Sequence, residues 1–431
     1  MTRNDEPRAW RLPRCKVVDD AHEKTGCLVR TDLGIAWLTG VCGMAMVSIA
    51  CFAQPAGGLK TLDGARPLII GHRGLPGMYP EEVIPGYQAA IRAGTDALEF
   101  DLQSSSDGVL FACHNVFLSD TTDVANHPEF ASRRKSRVVD GAPTGPDWYI
   151  SDFTAAELKT LRVVQPVAIR SKQYDGLYPM VTFQEIINLA KQSMAAQPGR
   201  RIYIYPETKN PLYQRQLGHP LEERLLAMLT KEGWNTPDAP VFVQSFDPAS
   251  LRLMRKLGLK TRVVQLIDGT DLDYRTGAIT YGAPDTAKPF SWLQAHDPRT
   301  FAAMVTRAGL AEIRTYADGI GPWKFYILPA QGLNAKGEPV EALADAVNMS
   351  PTGLIADAHA AGLFVHAFTF RDEAQNLTQT YHGDAKAEYK AYFALGVDGV
   401  FTDFSTTAHA ALTEWLSAAT PQLATGPGRS Q

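Results

Sequence analysis

From Arg66 onward, short apolar runs rich in β-branched and aromatic residues recur along the chain. They cover 67–74 (PLIIGHRG), 96–103 (DALEFDLQ), 201–209 (RIYIYPETK), 241–246 (VFVQSF), 261–267 (TRVVQLI), 317–322 (ADGIGP), 363–370 (LFVHAFTF) and 397–404 (VDGVFTDF). Near-continuous apolar character in short runs fits strands covered on both faces. Most of the intervening segments carry helical spacing and helical punctuation. Pro85 suits the first turn of a helix closed by Gly94, and Asp247-Pro248 opens one closed by Gly258. Ser350-Pro351 opens a third, closed by Gly362. Eight strands alternating with helices predict an α/β protein, a (β/α)8 TIM barrel.

Three parts of the chain depart from this alternation. Residues 109–115 (VLFACHN) follow a Ser/Asp/Gly turn and read as a hairpin return onto the second strand. Residues 117–180 and 268–311 are too long for ordinary loops. Thr154 and Glu157 form a capping box inside the first of these, and Thr182 and Glu185 form another at the start of the next helix. The segment 117–180 is therefore expected to be a capping insertion after the second strand, lying over the barrel mouth, where this architecture keeps its active sites.

The first 60 residues have another character. Seven basic residues between Arg3 and Arg30 precede an uncharged stretch from Leu33 to Ala53, the order of a secretory leader. Cleavage near Ala53, lipid attachment at Cys51 and retention as a membrane anchor are the three fates considered. The expected organisation is a leader or signal segment at 1–60, a barrel at 61–417 and a flexible tail at 418–431. The protein is expected to be exported and periplasmic, free or membrane-anchored.

Composition narrows the partner classes. The 431 residues are 45% hydrophobic with a net charge of −4, which gives no support for a nucleic-acid partner. The single dense basic cluster, Ser132–Arg137, reads as a solvated loop. Four of the five cysteines lie in the leader, leaving Cys113 alone in the body without a disulfide framework.

The chemistry gathers at the ends of the predicted strands. His72 and Arg73 close the first, Glu99 and Asp101 the second, Glu207 and Lys209 the third, and His114 lies on the hairpin return. The i, i+2 spacing sets Glu99 and Asp101 on one face. Taken singly, each residue has a structural reading as a salt bridge or cap. Jointly, three carboxylates make a hard oxygen site for Ca²⁺ or Mg²⁺. Arg73 and Lys209 could neutralise phosphoryl oxygens, and two histidines could divide base and acid between them. This equipment suits metal-assisted hydrolysis of a phosphodiester. Trp148, Trp292 and Trp323 are candidate pocket-lining aromatics. His366 is ambiguous, and the remaining histidines are given no role.

The motifs HRG with PE following (His72–Gly74, Pro80-Glu81), LEFD (98–101), CHN (113–115), IYPETKNP (204–211), QSFD (244–247), YADGIGP (316–322) and GVDGVFTDF (396–404) resemble the glycerophosphodiester phosphodiesterase family, in its order and across residues 67–415. The likeness is greatest to the periplasmic branch. It implies a TIM barrel that hydrolyses small-molecule glycerophosphodiesters to sn-glycerol 3-phosphate and an alcohol. It assigns His72 and His114 as the catalytic pair, and Glu99, Asp101 and Glu207 as metal ligands with Ca²⁺ favoured. Arg73 and Lys209 would bind phosphate, and Glu81 would line the site. Asn115 stands where the family usually has Asp, Val83 where it has Thr, and Ser405 where Pro is common.

Two other functions compete with this one. One is a phospholipase-type barrel that releases a cyclic phosphate. The other is an exported protein that binds a phosphodiester without turning it over. A histidine pair beside the carboxylates favours catalysis, since binding alone needs no acid and base.

Overall fold

The computed structural model describes residues 58–282 and 287–424. The leader, with Cys51 and Ala53, and residues 425–431 of the tail lie outside the described residues. Eight parallel strands form the barrel: β1 (Leu68–Gly71), β2 (Ala97–Ser104), β3 (Tyr203–Thr208), β4 (Phe242–Ser245), β5 (Arg262–Ile267), β6 (Gly319–Pro322), β7 (Phe364–Phe370) and β8 (Gly399–Thr402). Each pairs with its sequence neighbours, and β1 pairs with both β2 and β8. That last pairing closes the barrel.

The helices on the outside are α1 (Ile84–Arg92), α2 (Phe183–Ala196), α3 (Leu221–Lys231), α4 (Pro248–Lys256), α5 (Arg307–Arg314), α6 (Leu354–Ala360), α7 (Ala385–Leu395) and α8 (Ser405–Ala424). No helix among the described residues is long and apolar enough to cross a membrane. Pro85 lies in the first turn of α1, and Asp247 caps α4 by accepting from the amide of Ala249 at 2.9 Å. The predicted start of α6 needs correction. Thr352 is tied to the carbonyls of Tyr326 and Ile327. The helix therefore opens at Leu354 after Gly353, whose φ of 84° is left-handed.

Strand alternation decides what each side chain faces. On β2, Leu98, Phe100 and Leu102 pack outward into the main helix-facing core, while Ala97 joins the barrel interior. On β3, Ile204 faces outward and Tyr205 inward. The interior holds Ile70, Tyr205, Phe242, Val264 and Phe401, all buried. Gly319 on β6 makes room there: a Cβ at this position would sit 2.2 Å from the Phe364 ring. This packed plug leaves the chemistry to the strands' C-terminal ends.

Residues Leu110–Ala112 run antiparallel to β2, and Val181–Thr182 pair with them in turn. Between these two short strands, the insertion builds a core of its own from Leu118, Val124, Phe130, Trp148, Phe153 and Leu158, among others. Both expected capping boxes are formed. The basic cluster at 132–137 is partly paired inside the insertion, Arg133 with Glu157 at 2.5 Å and Arg137 with Asp152 at 2.5 Å. Residues 268–311 hold a hairpin (Asp271–Asp273 with Ala278–Thr280) and two short helices besides α5. A further long excursion follows β6 and includes the small hairpin of Ala330–Gln331 with Val347–Asn348.

Candidate active site

The eight residues singled out from the sequence converge on the C-terminal mouth of the barrel. Glu99 and Asp101 project from β2 into the interior, and Asp101 stands in register with Glu207 on β3. Glu207 in turn is in register with Gln244 on β4. Ligand atoms of Glu99, Asp101 and Glu207 lie within 4.8 Å of one another, and all three residues are buried. His72 and Arg73 follow directly on β1, while Lys209 follows directly on β3. Arg73 adopts φ 49°, and the turn this makes lets its amide donate to Glu99 at 2.8 Å.

The electrostatics of the cluster fit a cation. Burial, then repulsion from Asp101, pushes the Glu99 carboxyl well up. Burial also pushes Glu207 up, to about 8, against the pull of Lys209. Asp101 goes the other way, because Lys209 and Arg73 outweigh its burial. Three such carboxylates cannot share a dry site fully ionised without more positive charge than Arg73 and Lys209 supply. Among the described residues Asp101 Oδ2 is buried with no hydrogen-bond partner, although Arg73 Nε is 3.1 Å away. An orphaned carboxylate oxygen among hard donors is what a Ca²⁺ or Mg²⁺ ion would engage. Gln244 supports the set by donating to Glu99 Oε1 at 2.9 Å.

The histidines are each held by one ring nitrogen. His72 Nδ1 lies 2.6 Å from Asp403 Oδ1, at the end of β8. Burial pushes the Asp403 carboxyl up, but His72, Arg371 and Arg170 together hold it far below its usual range. An ionised carboxylate only accepts, so His72 carries its proton on Nδ1 and presents Nε2 to the cavity. His114 Nδ1 is 2.9 Å from Asn115 Oδ1, and the Asn115 amide donates to Asp120 at 3.1 Å. That contact fixes the same tautomer in His114. Burial lowers both imidazoles; Arg73 adds to the effect in each, and Lys209 adds to it in His114.

Two cavities of about 480 and 400 Å³ meet at this point. His72, Arg73, His114 and Arg371 line both. The smaller one holds the three carboxylates and Lys209 and is walled by Phe246, Leu266, Phe368 and Phe401. The larger is closed by Pro166, Val167 and Arg170 of the insertion, with Glu81 and Asp120 on its wall. Glu81 accepts from Arg73 at 2.9 Å.

Some expectations change. Trp148 is buried in the insertion core with its Nε1 on the carbonyl of Phe130, and Trp292 packs under Arg299. Trp323 packs against Phe325. None of the three lines either cavity; Phe246, Phe368 and Phe401 wall the smaller one instead. His366 is buried in the barrel interior on the Tyr205 hydroxyl, at 3.0 Å. Val83 is buried against the insertion core and stands at the N-cap of α1, where its side chain makes no capping hydrogen bond. Sequence reasoning gave no role to Asp403, Arg371, Gln244, Asp120 or Arg170. Asp403 and Gln244 obey the rule that found the others, polar residues closing apolar strands. Arg170 and Asp120 sit on irregular segments with no such signal.

The comparisons with known proteins agree with this geometry. The model of the glycerophosphoryl diester phosphodiesterase family matches residues 72–407. The chain is 36% identical over 364 residues to glycerophosphodiester phosphodiesterase GDPD6 of Arabidopsis thaliana, covering 81% of this chain and 87% of that protein. It is 26% identical over 386 residues to the glycerophosphodiester phosphodiesterase of Haemophilus influenzae, covering 84% and 94%. Its fold is similar to a Silicibacter pomeroyi protein solved as a candidate glycerophosphoryl diester phosphodiesterase. The TM-score there is 0.52 at 19% identity, with 83% of this chain and 98% of that one covered. With the catalytic end of a closed barrel carrying the family's motifs in order, the chain belongs to the glycerophosphoryl diester phosphodiesterase family.

Proposed function

We propose that this enzyme hydrolyses glycerophosphodiesters to sn-glycerol 3-phosphate and an alcohol in a reaction that depends on a divalent metal. The observation that carries the reading is the placement of both histidines, with Arg73, on the wall shared by two cavities, directly over the carboxylate cluster. A diester has two arms joined at one phosphorus. A site with a chamber on each side of two imidazoles suits that shape.

Glu99, Asp101 and Glu207 would hold the ion, with Ca²⁺ favoured over Mg²⁺ by the family resemblance. When bound, it would neutralise phosphoryl charge and act as a Lewis acid. Arg73 and Lys209 would hold the non-bridging phosphoryl oxygens. One histidine takes a proton from water as the water oxygen bonds to phosphorus. The bond from phosphorus to the alcohol oxygen then breaks, and the other histidine donates a proton to that oxygen. His72 fits the acid of the two, because Asp403 offsets part of the lowering that burial and Arg73 impose on it. His114 fits the base, because its partner is a neutral amide and its pKa lies well down.

The basic and then uncharged N-terminal stretch supports export to the periplasm. The test of the reaction is release of sn-glycerol 3-phosphate from glycerophosphocholine and glycerophosphoethanolamine, with EDTA and then with Ca²⁺ or Mg²⁺ restored, beside His114→Ala. Metal-restored release that the variant lacks is expected. A folded enzyme that releases nothing with any metal would overturn the proposal, and a cyclic phosphate product would point to the phospholipase-type reaction.

A further inference from the structure

A short strap of the insertion crosses the barrel mouth, and it is fastened at both ends by buried side chains. At one end Gln165, 2% exposed, donates from Nε2 to the carbonyls of Pro76 and Tyr79, each at 2.9 Å, on the segment between β1 and α1. At the other end Arg170 donates to Glu373 at 2.8 Å and to Asp403 at 2.6 Å, after β7 and β8. The guanidinium also lies 5.4 Å from the centre of the Phe404 ring. Between these fastenings Pro166 and Val167 form a wall of the larger cavity. The smaller cavity has no residue of the insertion in its lining.

The two chambers therefore differ in what builds them. The one over the carboxylates is walled by strand ends and the segments directly after them, and it offers one fixed shape. The other is shaped by loop residues that can vary without disturbing the barrel. A glycerophosphodiester has one constant arm, the glycerol, and one variable arm, the alcohol. Asp403, which holds His72 Nδ1, and Arg170 line only the strap-side cavity. An alcohol leaving into that chamber would depart beside the histidine assigned as acid.

We infer that the strap 165–170 walls the subsite for the leaving alcohol, and that Val167 sets how large an alcohol the enzyme accepts. This rests on the reaction proposed above. The diester's glycerol arm lies over the carboxylates, and its head group lies under the strap. Gln165 and Arg170 are positioning residues that hold the strap at a fixed height, while Pro166 and Val167 supply the apolar contact surface.

The experiment compares wild type, Val167→Trp and Val167→Ala in the full chain on glycerophosphoethanolamine and glycerophosphoinositol, which share the glycerol arm. The quantity read is the ratio of kcat/KM for the two substrates. Filling a pocket against a larger group changes selectivity by roughly 10- to 200-fold. Val167→Trp is expected to lower kcat/KM for the inositol diester at least about tenfold more than for the ethanolamine diester. Val167→Ala is expected to move the ratio toward the inositol diester. Equal loss on both substrates, or an unchanged ratio in both variants, overturns the assignment of the strap. Should Val167→Trp fail to fold, the alanine variant alone still decides. A wild-type enzyme that releases sn-glycerol 3-phosphate from neither substrate overturns the proposed reaction instead.

Discussion

Asp403 and His72 share a 2.6 Å contact between carboxylate Oδ1 and ring Nδ1, joining the last strand of the barrel to the first. The second oxygen of Asp403 is held by Arg170 at 2.6 Å and Arg371 at 2.9 Å. Two guanidiniums keep the carboxylate ionised and fixed, so the imidazole has one tautomer and one direction. This contact also explains why the barrel closure matters to chemistry, since β1 and β8 must be paired in register for it to form.

Replacing Asp403 with Asn keeps the shape but removes the charge that stabilises a protonated His72. General acid–base steps are worth roughly 10²- to 10⁴-fold in rate. Asp403→Asn is expected to lower kcat within that range, with KM much less affected, while the circular dichroism spectrum stays that of wild type. Retention of kcat within about threefold would remove His72 from the acid role.

Asn115 offers the reverse change. Its side-chain oxygen accepts from His114 Nδ1, and its amide donates to Asp120. Asn115→Asp puts an anion 2.9 Å from the ring nitrogen, which favours the imidazolium and raises the pKa of His114. A base is lost when it is protonated, so activity should fall away at higher pH in the variant than in wild type. The acidic limb of kcat/KM against pH should move upward by about one unit. A limb that does not move, or moves down, would show that His114 is not the group titrating there.

Gln244 lines the smaller cavity and donates from its amide to Glu99 Oε1 at 2.9 Å. Outer partners of metal ligands typically change affinity by about 10- to 100-fold. Gln244→Leu should weaken Ca²⁺ binding, measured by calorimetry on the full chain, by that amount. Glu207→Gln should weaken it further. Unchanged affinity in both would separate the carboxylate cluster from metal binding.

The legible part of this protein is the part governed by period two. Glu99, Asp101 and Glu207 alternate with Leu98, Phe100 and Ile204, so their inward direction follows once the strands are placed. The strand-end rule carried His72, Arg73 and Lys209 with them. Asp403 and Gln244 met the same rule but lacked an obvious chemical partner in the linear sequence, because theirs come from β1 and β2. Arg170 and Asp120 were invisible for a stronger reason. Their positions depend on how an irregular insertion folds back over the mouth, and no periodicity encodes that. The tryptophans misled because bulk and aromaticity suit an insertion core as well as a pocket, and Trp148 fills the former. The start of α6 was displaced by tertiary ties to Thr352 that local punctuation cannot anticipate.

His366 gives a stability prediction that does not involve the site. It is buried in the barrel interior with its Nδ1 on Tyr205 Oη, and burial lowers its pKa from 6.5 to about 4, opposed by Asp398 and helped by Arg262. The sign follows from proton binding: between about pH 4 and 6.5 the unfolded chain holds a proton that the folded protein excludes. Stability from this group is therefore complete above pH 6.5 and is lost as pH falls toward 4. The shift corresponds to ~3 kcal/mol over that window. His366→Gln removes the titrating ring. The difference in unfolding free energy between wild type and variant, measured by urea denaturation, should shift in the variant's favour as pH drops from 7 to 4. A difference that stays constant across that range would mean the imidazole titrates alike in the folded and unfolded states.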